Sequence, residues 1–525
     1  MSTVGQGRHG VIATPHPVVL ERRLGDLLTT GITALVPAVL ALAVTIAFPQ
    51  ANLLMVLAVI AGALGVVALV VCSRLEVTVT LILVYLLMID GPVKMLTSQR
   101  EVTRTLGDLV ILAVCLGAVM RMIVQRKRIE LPPLSGWVIA WIALVVVNAF
   151  NPKTHGILAV LGGFSQQLQY VPFFFFGYAL MRSTRRFRQL FIIVGIAATA
   201  SGIVAAYQST LSPSQLSSWG PGYQNLIHPV GKGSGRVFFS EGEARVRPPG
   251  LGSEAGASGS IGHAALPMCL ALVAISRRRK KWIAILLSLG AILAVVVGLG
   301  RLQLIGAALG VVAFTGLAAL AGRQLTRTIG VLLAIVALSI PAGALVVSSL
   351  KSGTFKRYES INTSSETTLH KESAFSKVPG YVAASPFGYG LGNSGAVAQL
   401  GGPETNSNLL EGHGLTSETE YNVLVKELGG PGLILWPLIA IYVSLLIVKR
   451  IRSVRDPELA MCLAGLFAAF LPLLLEASSG FISGSLAGGA YYWFTIGVVA
   501  YWLVGRGRAP AGVAQGRRDA SPVAP

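Results

Sequence analysis

Residues 259–276 read GSIGHAALPMCLALVAIS, residues 277–281 read RRRKK, and residues 282–299 read WIAILLSLGAILAVVVGL. Each apolar run is long enough to cross a hydrocarbon core of about 30 Å as a helix. The basic connector between them has no place inside a bilayer and marks one face of it. The pattern is that of a polytopic membrane protein, and the rest of the chain repeats it.

Working outward, apolar runs of about 16 to 22 residues recur along the sequence. They place spans at 31–48, 52–72, 77–93, 107–124, 134–150, 158–180, 189–207, 259–276, 282–299, 302–320, 328–348, 431–448, 458–475 and 486–504, about fourteen in all. The sixth is interrupted by Gln166, Gln167 and Gln169. Composition agrees: 53% of the 525 residues are hydrophobic, 12% are charged, and the mean hydropathy is +0.69. Soluble proteins carry about 25% charge, so a water-soluble enzyme of ordinary surface is excluded. The polar N-terminal stretch leads into its first apolar run without a small-residue cleavage site, which reads as a retained span. Cys72, Cys115, Cys269 and Cys462 lie in or at the edges of apolar runs without CxxC spacing, so neither disulfides nor a metal site is expected.

A net charge of +20 raises the question of nucleic acid, but the basic residues alternate with the spans. Arg74, Arg121/Arg126/Lys127/Arg128, Arg182/Arg185/Arg186/Arg188, Arg277–Lys281, Arg323/Arg327, Lys449/Arg450/Arg452/Arg455 and the tail arginines 506, 508, 517 and 518 fall on one side. With Arg8, Arg22 and Arg23 they make up most of the 42 basic residues. The positive-inside rule therefore predicts both termini, 1–28 and 505–525, in the cytoplasm. Lys94, Arg100 and Arg104 run against the trend. The long loops 208–258 and 349–430 are then outside, and loops of that length are more often functional than incidental.

The outer loops hold the chemistry. Arg245-Val-Arg247-Pro-Pro-Gly250 precedes the eighth span, and two arginines beside a turn at a helix mouth suit a phosphate or pyrophosphate; the plainer reading is a solvated basic loop. Arg301 stands alone between the ninth and tenth runs, either as an interfacial anchor or as a third cation facing the same cavity. The second loop contains Arg357, then Pro386-Phe-Gly388-Tyr-Gly390-Leu-Gly392, then Glu418-Thr-Glu420-Tyr421, and closes on Glu427-Leu-Gly429-Gly-Pro-Gly432. Residues 390–395 spell GxGxxG, but without a preceding strand this is no dinucleotide fingerprint. Trp219, Tyr223, Tyr381, Tyr389 and Tyr421 lie in or near these loops and are candidates for stacking on a ligand or for belt or loop packing.

In order and spacing these pieces resemble the O-antigen ligase/polymerase family of bacterial membrane glycosyltransferases: Arg247-x-x-Gly250 before a span, Gly300-Arg301 opening a span, Arg357 in the large loop, Pro386…Gly392, and Glu418-x-x-Tyr421 with Glu427-x-Gly429-x-x-Gly432. The matching region runs from about 245 to 450; spans one to seven match only in number and hydropathy. The resemblance implies an all-α, GT-C-like helical fold in the cytoplasmic membrane with its active site facing outward. It also implies a metal-independent and cofactor-free transfer of glycan from an undecaprenyl-pyrophosphate carrier to a glycan, lipid or protein acceptor. By motif position Arg247 and Arg357 hold the pyrophosphate, with Arg301 and Arg245 nearby. The family's catalytic histidine position, nine residues before Glu427, is Glu418 here. Glu418 is an admissible general base, His413 is the alternative, and the plain reading of Glu418 is a helix-entry residue. The rival class is a multi-span transporter or flippase for lipid-linked or anionic substrates. Transporters place ionisable groups within their spans, and the spans here read as almost clean.

Overall fold

The protein is described by a computed structural model over residues 75–96, 111, 114–115, 131–154, 156–227, 237–240, 243–277, 280–322, 378–394, 419–477, 482 and 486–505. The spans expected at 31–48, 52–72 and 328–348, most of that at 107–124, both tails and most of loop 349–430 lie outside the described residues. The chain divides into two compact units. One comprises Met1–Val79 and Val110–Ile129, and its described part is the start of α1 (Leu75–Val84) with residues 111, 114 and 115. The other, Thr80–Leu109 with Glu130–Pro525, carries all the features that follow.

In the larger unit a π-turn, Tyr85–Ile89, leads into α2 (Asp90–Leu96). Then come α3 (Ser135–Ala149), α4 (Gly156–Leu168), α5 (Phe173–Leu180), α6 (Thr184–Thr210), and the short α7 (Pro213–Ser217) and α8 (Pro221–Ile227). A hairpin, β1 (Val237–Ser240) with β2 (Glu243–Val246), precedes α9 (Ala257–Ile275), α10 (Lys281–Val297) and α11 (Arg301–Leu320). The last part holds α12 (Glu420–Arg450), α13 (Pro457–Ala468), α14 (Leu473–Glu476) and α15 (Tyr491–Val499), the last flanked by π-turns.

Four of these helices are long and apolar enough to cross a membrane: α6, α9, α11 and α12 with its 3-10 extension to Ser453. Each carries an 18-residue stretch of high mean hydropathy with few charged residues, as a span must. On α12, Ile434, Leu438, Ile441, Leu445 and Val448 are exposed at alternating steps of four and three, while Trp436, Ile439, Val443 and Ile447 face inward. An exposed aliphatic stripe of this length is at home in lipid rather than water. Helix α9 lies at the centre, buried along nearly its whole length. Small residues let its neighbours approach backbone to backbone: a Cβ on Gly202 of α6 would sit 2.8 Å from Ala294 N of α10, and one on Gly262 of α9 would sit 2.7 Å from Ala291 O. Without a hydrophobic drive in lipid, such close contact is the main packing gain available.

Two expected spans are not single helices. In the sixth, α4 ends at Leu168, and α5 starts at Phe173 after a turn that contains Pro172. In the thirteenth, α13 ends at Ala468 and α14 starts at Leu473. The stretch before the twelfth is also helical, from Glu420, where Thr419 caps it by accepting from Asn422 N at 3.2 Å, but a kink at Gly429 separates it from the helix over the expected span. The described residues between α6 and α9 are themselves folded. Met95, Leu216, Tyr223 and Ile227 form a small core against which Trp219 and Val246 pack, so α7, α8 and β2 sit on the end of α2. Lys94, an exception to the charge pattern, is neutralised one turn away by Asp90 at 2.6 Å.

Candidate functional site

Arg245 lies in β2 opposite Phe238, and Arg247 follows the strand directly. The next three residues, Pro248, Pro249 and Gly250, are buried against α6. Gln208 clamps the turn from both sides: its Oε1 accepts from Gly250 N at 2.8 Å and its Nε2 donates to Gly250 O at 3.2 Å. Ser201 Oγ accepts from Leu251 N at 3.1 Å. Gly250 has φ +64, and a Cβ there would stand 2.7 Å from Ser201 O. The Pro-Pro-Gly turn that follows Arg247 is thus fixed between α6 and the start of α9, where a Cβ on Gly250 would lie 2.9 Å from Ser258 Cβ.

Arg301 opens α11 at the same end of the bundle. The turn that precedes it, Gly298-Leu299-Gly300, lies against the start of α9, with a Cβ on Gly298 falling 2.7 Å from Gly259 N. Gly256 and Gly300 are the residues before α9 and α11, and neither supplies a side-chain cap. Two adjacent helix N-termini, with their partial positive charge, therefore open at this end, and Arg301 is the first residue of one of them.

The glycine-rich stretch and the end of the large loop form one interlocked unit. Glu427 is fully buried, and its Oε1 accepts from Gln166 Nε2 at 3.0 Å and from Gly392 N at 3.2 Å. Its Oε2 accepts from Gln167 Nε2 at 2.8 Å. Gly429 breaks the helical path of α12 at φ +67, ψ −157, and Gly430 N then donates to Pro386 O at 2.8 Å. Tyr389 N donates to Lys426 O at 2.6 Å, and Lys153 reaches Ser385 Oγ at 3.1 Å while lying over the Tyr389 ring. Leu391 is fully buried. Buried non-helical backbone is tolerated only when its polar groups find partners, and here Gly392 N, Tyr389 N and Gly430 N do. Residues 390–395 follow no strand among the described residues; the glycines serve close backbone approach.

A further polar chain ties the start of α12 to the centre. Glu420 is fully buried, its N donates to Ala477 O at 3.1 Å, and its Oε2 accepts from Ile482 N at 2.8 Å. Tyr421 Oη donates to Leu474 O at 2.9 Å. In the same segment Glu476 Oε1 lies 2.8 Å from His263 Nε2 of α9, both largely buried, and Gly306 of α11 leaves them room.

Of the residues singled out by sequence, Arg245, Arg247 and Arg301 are brought to one end of the bundle. Arg357, His413 and Glu418 lie outside the described residues. The aromatic candidates are engaged in packing: Tyr223 is buried against Trp219, Tyr421 packs on Trp436, and Lys426 lies over Tyr381. Burial pushes the Tyr223 hydroxyl above its ordinary range, partly offset by its hydrogen bond with Gln208. Sequence reasoning missed the His263–Glu476 pair and the roles of Gln166, Gln167 and Glu427. The available signal was an ionisable or amide side chain inside an apolar run, which is expensive unless paired. The spans are therefore less free of such groups than their hydropathy suggests. No protein-family model, no curated protein and no solved structure matches the chain.

Proposed function

We propose that this is a membrane glycosyltransferase of the O-antigen ligase/polymerase type, with about fourteen spans and a GT-C-like arrangement. It takes glycan from an undecaprenyl-pyrophosphate-linked donor on the outer face of the cytoplasmic membrane. The observation that supports this reading is the pair of helix starts, α9 and α11, which pack together at one end of the bundle without side-chain caps, with Arg301 as the first residue of α11. Cations and helix N-termini together favour a pyrophosphate.

The leaving group of the reaction is a lipid pyrophosphate. Arg247, Arg301 and Arg357 stabilise the charge that develops on it, so the departure needs no metal. The attacking sugar hydroxyl loses its proton to Glu418, or to His413 if the loop aligns differently, in one in-line displacement that inverts the anomeric carbon. The interlock of Glu427 joins residues 386–394 to α4 and to the start of α12.

A transporter or flippase is the second reading, and the buried His263–Glu476 pair favours it, since paired ionisable groups within spans often mark ion pathways. One experiment separates the two. Purified protein in detergent, given a lipid-pyrophosphate glycan and a chelator, should yield lengthened or transferred glycan, and Arg247→Ala, Arg357→Ala and Glu418→Gln should each abolish turnover at normal protein levels. An inactive His413→Ala beside an active Glu418→Gln would move the base to His413. Substrate that crosses a reconstituted membrane chemically unchanged would establish the transporter instead.

A further inference from the structure

The opposite end of the bundle holds a second site. A recess of about 720 Å³ opens where α6, α9 and α10 reach the RRRKK connector, lined by Arg188, Arg277 and Lys280 around Ile192, Leu272 and Leu287. Its origin is geometric. Farther along, α6 and α10 are drawn together by Gly195 against Leu287 and by Gly202 against Ala294. Toward the N-termini of α6 and α10 the recess is lined by Ile192 and Ile283, which are bulky where Gly195 and Gly202 are small. The result has apolar walls and a cationic rim. Arg188 is paired with Glu458, whereas Arg277 and Lys280 are exposed and form no ion pair among the described residues. Beside them Trp282 is 59% exposed, as an aromatic at headgroup level is. Exposed Ile192 and Ile196 continue the apolar wall along α6.

The geometry points to a binding site for one anionic phospholipid, its phosphate held by Arg277 and Lys280 and its acyl chains lying along α6 and α10. A free phosphate would have no use for the apolar walls. The chain's own C-terminal tail carries Arg506, Arg508, Arg517 and Arg518 and would be repelled. Basic pockets between membrane helices are well suited to such headgroups.

The test is native mass spectrometry of the full-length protein in nonionic detergent, titrated with phosphatidylglycerol or phosphatidylcholine. Phosphatidylglycerol should be retained in preference, and the Arg277→Gln/Lys280→Gln variant should weaken its binding about 10- to 30-fold. Lys449→Gln/Arg452→Gln, which removes the same charge elsewhere at this end, should leave binding unchanged. Three results would each overturn the proposal: equal retention of both lipids, equal weakening by both double variants, or displacement of the lipid by glycerol phosphate at matching concentration.

Discussion

Gln167 of α4 donates from Nε2 to Glu427 Oε2 at 2.8 Å, and through that carboxylate it is joined to Gly392 of a loop more than two hundred residues away in sequence. Glu427 is the acceptor for three buried donors, from Gln166, Gln167 and Gly392. Glu427→Ala would strand all three, at about 1–3 kcal/mol for each donor left unsatisfied. The expected outcome is release of residues 386–394 from the bundle. A cysteine at Ser394, buried in the wild type, should become reactive toward a water-soluble maleimide in the Glu427→Ala background. An unreactive cysteine there would show that the loop is held by other contacts.

Gly429 and Gly430 offer a paired test of the same interlock. Gly429 takes a conformation open essentially to glycine alone, and a Cβ would press on the Phe387 carbonyl carbon at 2.5 Å. At Gly430 the nearest atom to an added Cβ is Pro386 O at 3.6 Å, an ordinary contact. Gly429→Ala should therefore destabilise the protein by at least about 1–3 kcal/mol, while Gly430→Ala should be close to neutral. Thermal unfolding in detergent compares them; equal behaviour would mean that the break in α12 is not required.

What the sequence made legible follows from what hydropathy measures. Helices α6, α9, α10 and α11 lie within a few residues of their expected spans because each is dominated by an apolar run. The start of α12 was hidden because Glu420, Lys426 and Glu427 are polar yet buried by polar partners. A hydropathy average cannot distinguish such residues from a solvated loop. His263 was hidden for the converse reason, since one imidazole hardly changes the mean of a long apolar run. The link between Pro386…Gly392 and Glu427…Gly432 depends on backbone hydrogen bonds, which leave glycine and a buried acid in the sequence but no record of which pairs with which.

The position of Arg247 depends on Gly250, so the two should fail in different ways. Arg247→Lys keeps a charge and loses the bidentate fork, and transfer activity should fall nearly as far as in Arg247→Ala with no change in stability. Gly250→Ala should lower both, because its Cβ would collide with Ser201 and displace the clamp made by Gln208. The check is turnover measured beside the unfolding midpoint for each variant. An active Arg247→Lys would show that charge alone suffices at this position, and loss of activity without loss of stability in Gly250→Ala would point to a direct part for the turn.

His263 and Glu476 connect α9 to the segment after α13, and Gly306 of α11 packs over them. Removing one member of a buried ion pair leaves the other charge without compensation, at about 3–5 kcal/mol, whereas replacing both by apolar groups is often neutral or stabilising. His263→Leu and Glu476→Leu should thus each lower the unfolding midpoint markedly, and the double variant should regain most of the loss. If the pair is structural, the double variant should also retain glycan transfer. If it carries protons for transport, stability should return in the double variant while pH-driven uptake into vesicles is lost. The decisive comparison is therefore the double variant assayed for stability, transfer and uptake together. A double variant less stable than either single one would show instead that each residue has a further partner of its own.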